Sequence, residues 1–250
     1  VYAVADETSL ISQLADQIGQ TNIISSLPGV IAASMAQGMS MMGTCEAMSI
    51  GGARLFLRSH SANPFDVHIH TGIAARRYLL QFPEIDFDKK LSCLFGWPWG
   101  YEVRYLDHTL NWDWQTDTKL LICSDEETLL GEIKKRILAL EGYDMLNLPV
   151  TINLLVASEE VREITRLAES YVKAGFDVER LFRLTASLVC REDASEMHAY
   201  KIQQAAYDEY HACRDQFRWV HAVSAVKQAA VAVSMTPCRV FGQIRAAQAA

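Results

Sequence analysis

The chain has 250 residues, half of them hydrophobic, which is enough for one large domain or two modest ones around a sizeable buried core. A formal charge of −7 and the lack of Lys/Arg runs interleaved with aromatics argue against a phosphate-binding surface, so no nucleic-acid partner is expected. No uninterrupted apolar run reaches about 18 residues, so no membrane span is expected.

Gly and Pro are scarce (13 and 6), which favours helix throughout. Residues 8–20, "TSLISQLADQIGQ", have helical spacing, with Gly19 as a plausible stop. Residues 28–50 are small and Met-rich and predict one or two buried helices, with Gly38 and Gly43 permitting close packing. "GGARLFLRSHSANP" leads through an Asn-Pro turn into "FDVHIHTGIAARRYLLQF", a helix ended by Pro83. Residues 96–118 then break the pattern, with Trp97, Trp99, Tyr101, Trp112 and Trp114 among Gly and Pro. This segment predicts an irregular cover packed on the body, or one wall of a pocket for a flat apolar ligand.

"SDEETLLGEIKKRILAL" places Ser124 at an N-cap and Glu127 three residues on, a capping box, with Leu129, Leu130, Ile133, Ile137 and Leu140 facing inward. Beyond Leu148 four or five helices are expected. "SEEVREITRLAESYVKAG" stops at Gly175; "DVERLFRLTASLVC", a helix through 191–212, "FRWVHAVSAVKQAAVAVSM" and a short tail after Pro237 follow. Strand is conceivable only near 118–123 and 150–156. The expected fold is all-α, a single-domain multi-helix bundle over 1–250, whose halves 1–120 and 121–250 pack around a shared site.

Six cysteines (Cys45, Cys93, Cys123, Cys190, Cys213, Cys238) form no C-x-x-C pair and read as reduced, mostly buried thiols of a cytoplasmic protein. The start "VYAVADET" lacks a signal peptide's basic-then-apolar layout, and a processed or a trimmed N-terminus fits it equally.

At about 100° per residue, a helix through 191–212 groups Ala194, His198, Lys201, Ile202, Ala205 and Ala212 on one side, with Tyr200, Tyr207 and Gln203 pointing away. His221 shares its side with Phe217, Ser224, Ala225, Gln228, Ala232 and Met235. His70 shares one with Asp66, Ile73, Ala74, Arg77 and Gln81, and an Asp one turn before a His can orient its ring. His68 points the other way. Taken singly, each imidazole reads as a hydrogen-bonded core residue and Lys201 as a snorkelling side chain. Taken together, imidazoles on facing helices are how bundles build metal centres. A buried, uncharged Lys201 adds a carboxylate-like ligand once it has taken up CO2.

G-x-G-x-x-G, the P-loop, H-E-x-x-H and G-x-S-x-G are all absent, so an NAD-binding Rossmann domain and a standard α/β-hydrolase are not expected. "HIHTGIAARRYLL" (68–80), and "REDASEMHAYKIQQAAYDEY" followed by "WVHAVSAVK", resemble segments of questin-oxidase-like proteins. The resemblance implies a helical non-haem iron oxygenase that cleaves quinone-like rings with O2. It implies His70, His198 and His221 as Fe(II) ligands, a carboxylated Lys201, and His60 or His68 as a further ligand. Arg76 or Arg77, Arg77 first, would bind a phenolate or carboxylate of an aromatic substrate beside Trp97, Trp99, Tyr101, Trp112 or Trp114. The alternative is a non-catalytic helical binding module or a subunit of a larger assembly. Homo-oligomerisation is left open.

Overall fold

The computed structural model describes residues 6–59, 67–95, 125–141, 158–191, 197–234 and 239–249. Among them every regular element is helical, as the composition leads one to expect. The aromatic segment 96–118, the two conceivable strands, His60, Asp66 and Ser124 lie outside the described residues, as does the side chain of His68.

In the first half, α1 is Thr8–Gln20, α2 is Leu27–Ala36, α3 is Met41–Arg58, α4 is Val67–Leu80 and α5 is Phe87–Phe95. In the second, α6 is Glu126–Ala139, α7 is Ser158–Lys173, α8 is Val178–Val189, α9 is His198–Ala212, α10 is Trp219–Ser234 and α11 is Arg239–Ala249. No helix of the described residues is long and apolar enough to cross a membrane.

The hub is α10, whose residues Val220–Ser234 are all buried. It is built largely of Ala, Val and Ser, so neighbours approach closely on every side. A helix that is apolar all round belongs inside a bundle. It touches α3, α6, α7, α8 and α9, while α3 also meets α4, and α4 meets α9. The helices α3, α4, α9 and α10 therefore close a ring. One apolar cluster gathers α1 to α5 with Cys213, Phe217 and Val220, and a second gathers α6 to α10 with Leu57.

Several local stops differ from expectation in instructive ways. Gly19 sits inside α1, where a Cβ would meet the stem of Arg54 at 2.8 Å; the glycine serves a close approach, and Thr21 caps the helix. Gly38 has φ +103° and takes the left-handed turn before α3. Gly43 makes room for the carboxylate of Glu7, which accepts hydrogen bonds from the Ser40 amide at 2.8 Å and hydroxyl at 2.9 Å. The cap of α6 is Asp125, whose carboxylate accepts from the amides of Glu127 and Thr128 at 3.3 and 3.0 Å. The cap falls one residue after the serine read from the sequence, and Arg180 on α8 donates to Glu127 at 2.5 Å. Gly175 does end α7: at φ +77°, with Gly175 N bonded to Val172 O and Phe176 N to Tyr171 O, it forms a Schellman stop.

Helix α1 packs closely on α3. A Cβ on Gly51 would lie 2.5 Å from Ile18 Cβ and 3.1 Å from the Ala15 carbonyl. Ile18 is fully buried and has nowhere to go. Gly51→Ala is expected to cost about 1–3 kcal/mol, read as a lowered urea midpoint at unchanged slope.

A buried lysine does exist, but it is Lys227 on α10, 1 % exposed. Its ammonium donates to the carbonyls of Phe56 and Ser59 at 2.5 and 2.7 Å and lies 4.6 Å from the centre of the Phe56 ring. It thus caps the C-terminus of α3, where a cation offsets the helix dipole. Lys227→Ala leaves those carbonyls without this donor and opens a cavity. It is expected to cost about 2–4 kcal/mol in chemical denaturation.

Candidate metal centre

The ring of α3, α4, α9 and α10 encloses a small polar cluster. Each helix presents its members for a local reason. On α4 the buried positions are His70, Ile73, Arg76, Arg77 and Leu80, a helical stripe that carries His70 and Arg77 inward one above the other. On α9 the buried stripe is Ala199, Ile202, Gln203, Ala206, Glu209 and Tyr210, continued by Cys213 at the C-cap. His221 stands near the start of α10, and Cys45 and Ser49 come from α3, all buried.

Glu209, 1 % exposed, is held by Arg77 through two parallel bonds, Nε to Oε1 and Nη2 to Oε2, each 2.8 Å. Such a fork of N–H donors on a carboxylate is the strongest ordinary side-chain pairing. The same Nη2 lies 3.7 Å from Cys213 Sγ, and Cys213 Sγ lies 3.8 Å from Glu209 Oε2. The ring of His221 completes the group, its Nε2 3.5 Å from Cys213 Sγ and 3.4 Å from Ser49 Oγ. One donor atom each from Glu209, Cys213 and His221 falls within 4.8 Å of the others. His70 packs edge-on against His221, ring centres 6.0 Å apart, and against Phe56 at 5.5 Å.

The electrostatics follow from burial. Desolvation, with a smaller effect of the neighbouring His221, pulls His70 down to about 3; desolvation and the Arg77 charge do the same to His221. Both rings are neutral at pH 7 and hold lone pairs. Burial pushes the Cys45 thiol up to about 12 and raises that of Cys213 as well. Burial thus favours the protonated thiol of Cys213, which disfavours its use as a free nucleophile. Arg77 keeps its charge: desolvation acts against it, but the hydrogen bonds and charge of Glu209 raise its pKa on balance.

Three buried ring nitrogens, Nδ1 and Nε2 of His70 and Nδ1 of His221, have no hydrogen-bond partner among the described residues. Buried polar atoms rarely go unpaired, and leaving one so costs about 1–3 kcal/mol. A ring nitrogen of His221 with the Glu209 carboxylate and the Cys213 thiol matches the donor chemistry of Fe, Zn or Cu, and His70 stands beside that set in ring contact with His221.

The structure brings together His70 and His221 from the sequence-derived set. Lys201 is solvent-exposed on α9, so it lacks the burial that a carbamate needs; this corrects its expected inward position. His198 is half-buried at the first turn of the same helix, about 16 Å along the axis from Glu209, which separates it from the cluster. Arg77 is paired with Glu209. Gln203, expected to point outward, is buried: it accepts from Thr185 at 2.9 Å and donates to the Ala225 carbonyl at 2.9 Å. His60, Trp97, Trp99, Tyr101 and Trp112 lie outside the described residues. Sequence reasoning missed Glu209, Cys213, Cys45 and Ser49 as members. Glu209 and Cys213 stand four apart with His221 eight further on, which is the available signal.

A cavity of about 490 Å³ opens between α2, the start of α3 and α5, lined among others by Met35, Met39, Met41, Phe87 and Phe95. It shares no residue with the cluster, but Met41 is one helical turn from Cys45, about 6 Å along α3. No protein-family model, curated protein or solved structure matches the chain, so its function is argued from these residues and their geometry.

Proposed function

We propose that the protein is a metal-dependent oxygenase of the non-haem iron kind, acting with O2 on an aromatic or quinone-like small molecule. His70, His221 and Glu209 are its ligands. The observation that carries this is the pair of fully buried neutral imidazoles with three unpartnered ring nitrogens beside a buried carboxylate. Two histidines and one carboxylate are the donor set associated with ferrous oxygenases. The ion, when bound, supplies the means of activating O2. The chain's own part is to keep both imidazoles unprotonated by burial, to fix their orientation by edge-on packing, and to exclude water with the apolar walls of α3 and α10. The Met- and Phe-lined cavity has the size and character for a flat apolar molecule.

The test is metal binding. Protein reconstituted anaerobically with Fe(II) is expected to hold stoichiometric iron, and His70→Ala and His221→Ala to lose it. Lys201→Ala and His198→Ala are expected to keep it. Oxygen uptake with quinone-like aromatics should then follow iron content across the variants. A folded protein whose iron content is negligible and indifferent to His70 and His221 overturns the reading.

One observation favours a second reading, a non-catalytic helical binding module. Glu209 is already neutralised by Arg77, so the cluster is charge-balanced as it stands. The Met- and Phe-rich cavity then serves as an adaptable contact surface. A well-folded protein without metal is the outcome that supports it.

A further inference from the structure

Arg77 stands where a metal ion's charge would be needed. Its Nη2 touches both anionic or potentially anionic donors of the cluster, Glu209 Oε2 at 2.8 Å and Cys213 Sγ at 3.7 Å. The carboxylate's two oxygens are both used by the guanidinium. A divalent ion reaching the three donors that lie within 4.8 Å must therefore compete with a cation already in place. The cluster is also buried: Glu209 is 1 % exposed, His221 0 % and Cys213 5 %.

We propose that Arg77 is a resident counter-cation, that metal uptake is an exchange in which Glu209 passes from Arg77 to the ion, and that Cys213 joins the ligands as a thiolate. This rests on the metal-centre reading above and adds two residues to it. The bond changes balance without any redox partner. Two N–H···O bonds between Arg77 and Glu209 are given up, a metal–carboxylate bond forms, and the Cys213 S–H proton leaves to solvent as sulfur coordinates. A thiolate in the set selects softer ions such as Zn, Co or Fe over Mg and Ca, which take oxygen donors. Among the described residues, the buried and unpartnered Nδ1 of His221, with both ring nitrogens of the His70 packed against it, is the independent sign that the site can take a further ligand. Arg77 in this view is a positioning and regulatory residue: it keeps the metal-free cluster folded and sets how tightly the ion is held.

Cobalt(II) reports on both parts, because a thiolate bound to it gives a charge-transfer absorption band distinct from its d–d bands. Titrating the full chain with Co(II) alone is expected to produce that band in the wild type. The band should vanish in Cys213→Ser while the d–d bands persist. Arg77→Gln is expected to bind Co(II) about tenfold tighter or more, since nothing then competes for Glu209, while its metal-free form unfolds at lower urea. Should Arg77→Gln not fold, Arg77→Met, which also removes the charge at similar volume, serves the same comparison. Equal or weaker Co(II) binding in the folded Arg77 variant overturns the exchange. A band that survives Cys213→Ser overturns the thiolate. Absence of Co(II) binding in every variant overturns the metal centre itself, and that outcome is separate from the other two.

Discussion

Arg77→Ala is expected to destabilise the metal-free protein by about 3–5 kcal/mol, and Glu209→Ala by a similar amount, because each leaves its partner's charge buried and unpaired. The pair spans α4 and α9 at 2.8 Å, with both side chains less than a tenth exposed. A surface pair such as Lys89 with Asp86, where both side chains are about three-quarters exposed, contributes little by comparison. The informative variant is the double one. Arg77→Met with Glu209→Leu removes both charges at similar volume and is expected to recover most or all of the lost stability, since dry replacements of buried ion pairs are often neutral or better. Urea midpoints of the four proteins form the cycle. A double variant as unstable as the sum of the singles would show that the pair's worth is packing rather than charge. Full stability in the double, coupled with loss of metal binding, would show that the carboxylate is kept for function.

Acid should unfold the metal-free protein steeply, and two residues set the window. His70 and His221 each titrate at about 3 when folded, against about 6.5 when unfolded. Between those limits the unfolded chain binds more protons, so stability rises with pH across the window. It is complete above about pH 6.5 and is lost as pH falls toward 3. Each ring contributes a slope approaching about 1.4 kcal/mol per pH unit. Denaturant midpoints between pH 7 and 5, above the range where most carboxylates titrate, are expected to show an uptake approaching two protons on unfolding. His221→Phe should remove about half of that slope. An unchanged slope in the variant would mean that His221 is not held neutral by burial.

The all-α class was legible because scarce Gly and Pro leave helix as the default, and the spacing of Leu129, Ile133 and Ile137 marks its inward face without ambiguity. His70 was legible for the same reason, with Ile73 and Arg77 on its stripe. The orientation of α9 was not. Alanine is equally at home on a buried or an exposed face, so Ala205 and Ala212 gave no direction, and Lys201 was assigned inward beside them. The deciding residues are Ala199, Ile202, Ala206 and Tyr210. Their stripe centres well away from Lys201 and carries Glu209 and Cys213 to the cluster. The tyrosines divide the same way: Tyr200 and Tyr207 are exposed, while Tyr210 is buried against Phe182 at 5.4 Å. Nor could spacing reveal that Glu209 meets Arg77, 132 positions earlier, since that pairing exists only once α4 and α9 pack together. Lys227 escaped notice because a lone lysine among valines and alanines reads as snorkelling until the end of α3 is found beneath it.

The placement of α10 late in the chain has a consequence for synthesis. Lys227 bonds to Phe56 across 171 residues and His221 meets Ser49 across 172, so the pillar against which the early helices rest is translated long after them. While the ribosome is still at work, α1 and α3 can pair, but the flank of α3 that α10 later covers stays open to water. Long-range closure of this kind is slow, and a nascent chain carrying such a seam is a natural client for holding chaperones. Arrest of translation just before residue 219 should therefore trap a chaperone-bound species that one extended by α10 releases.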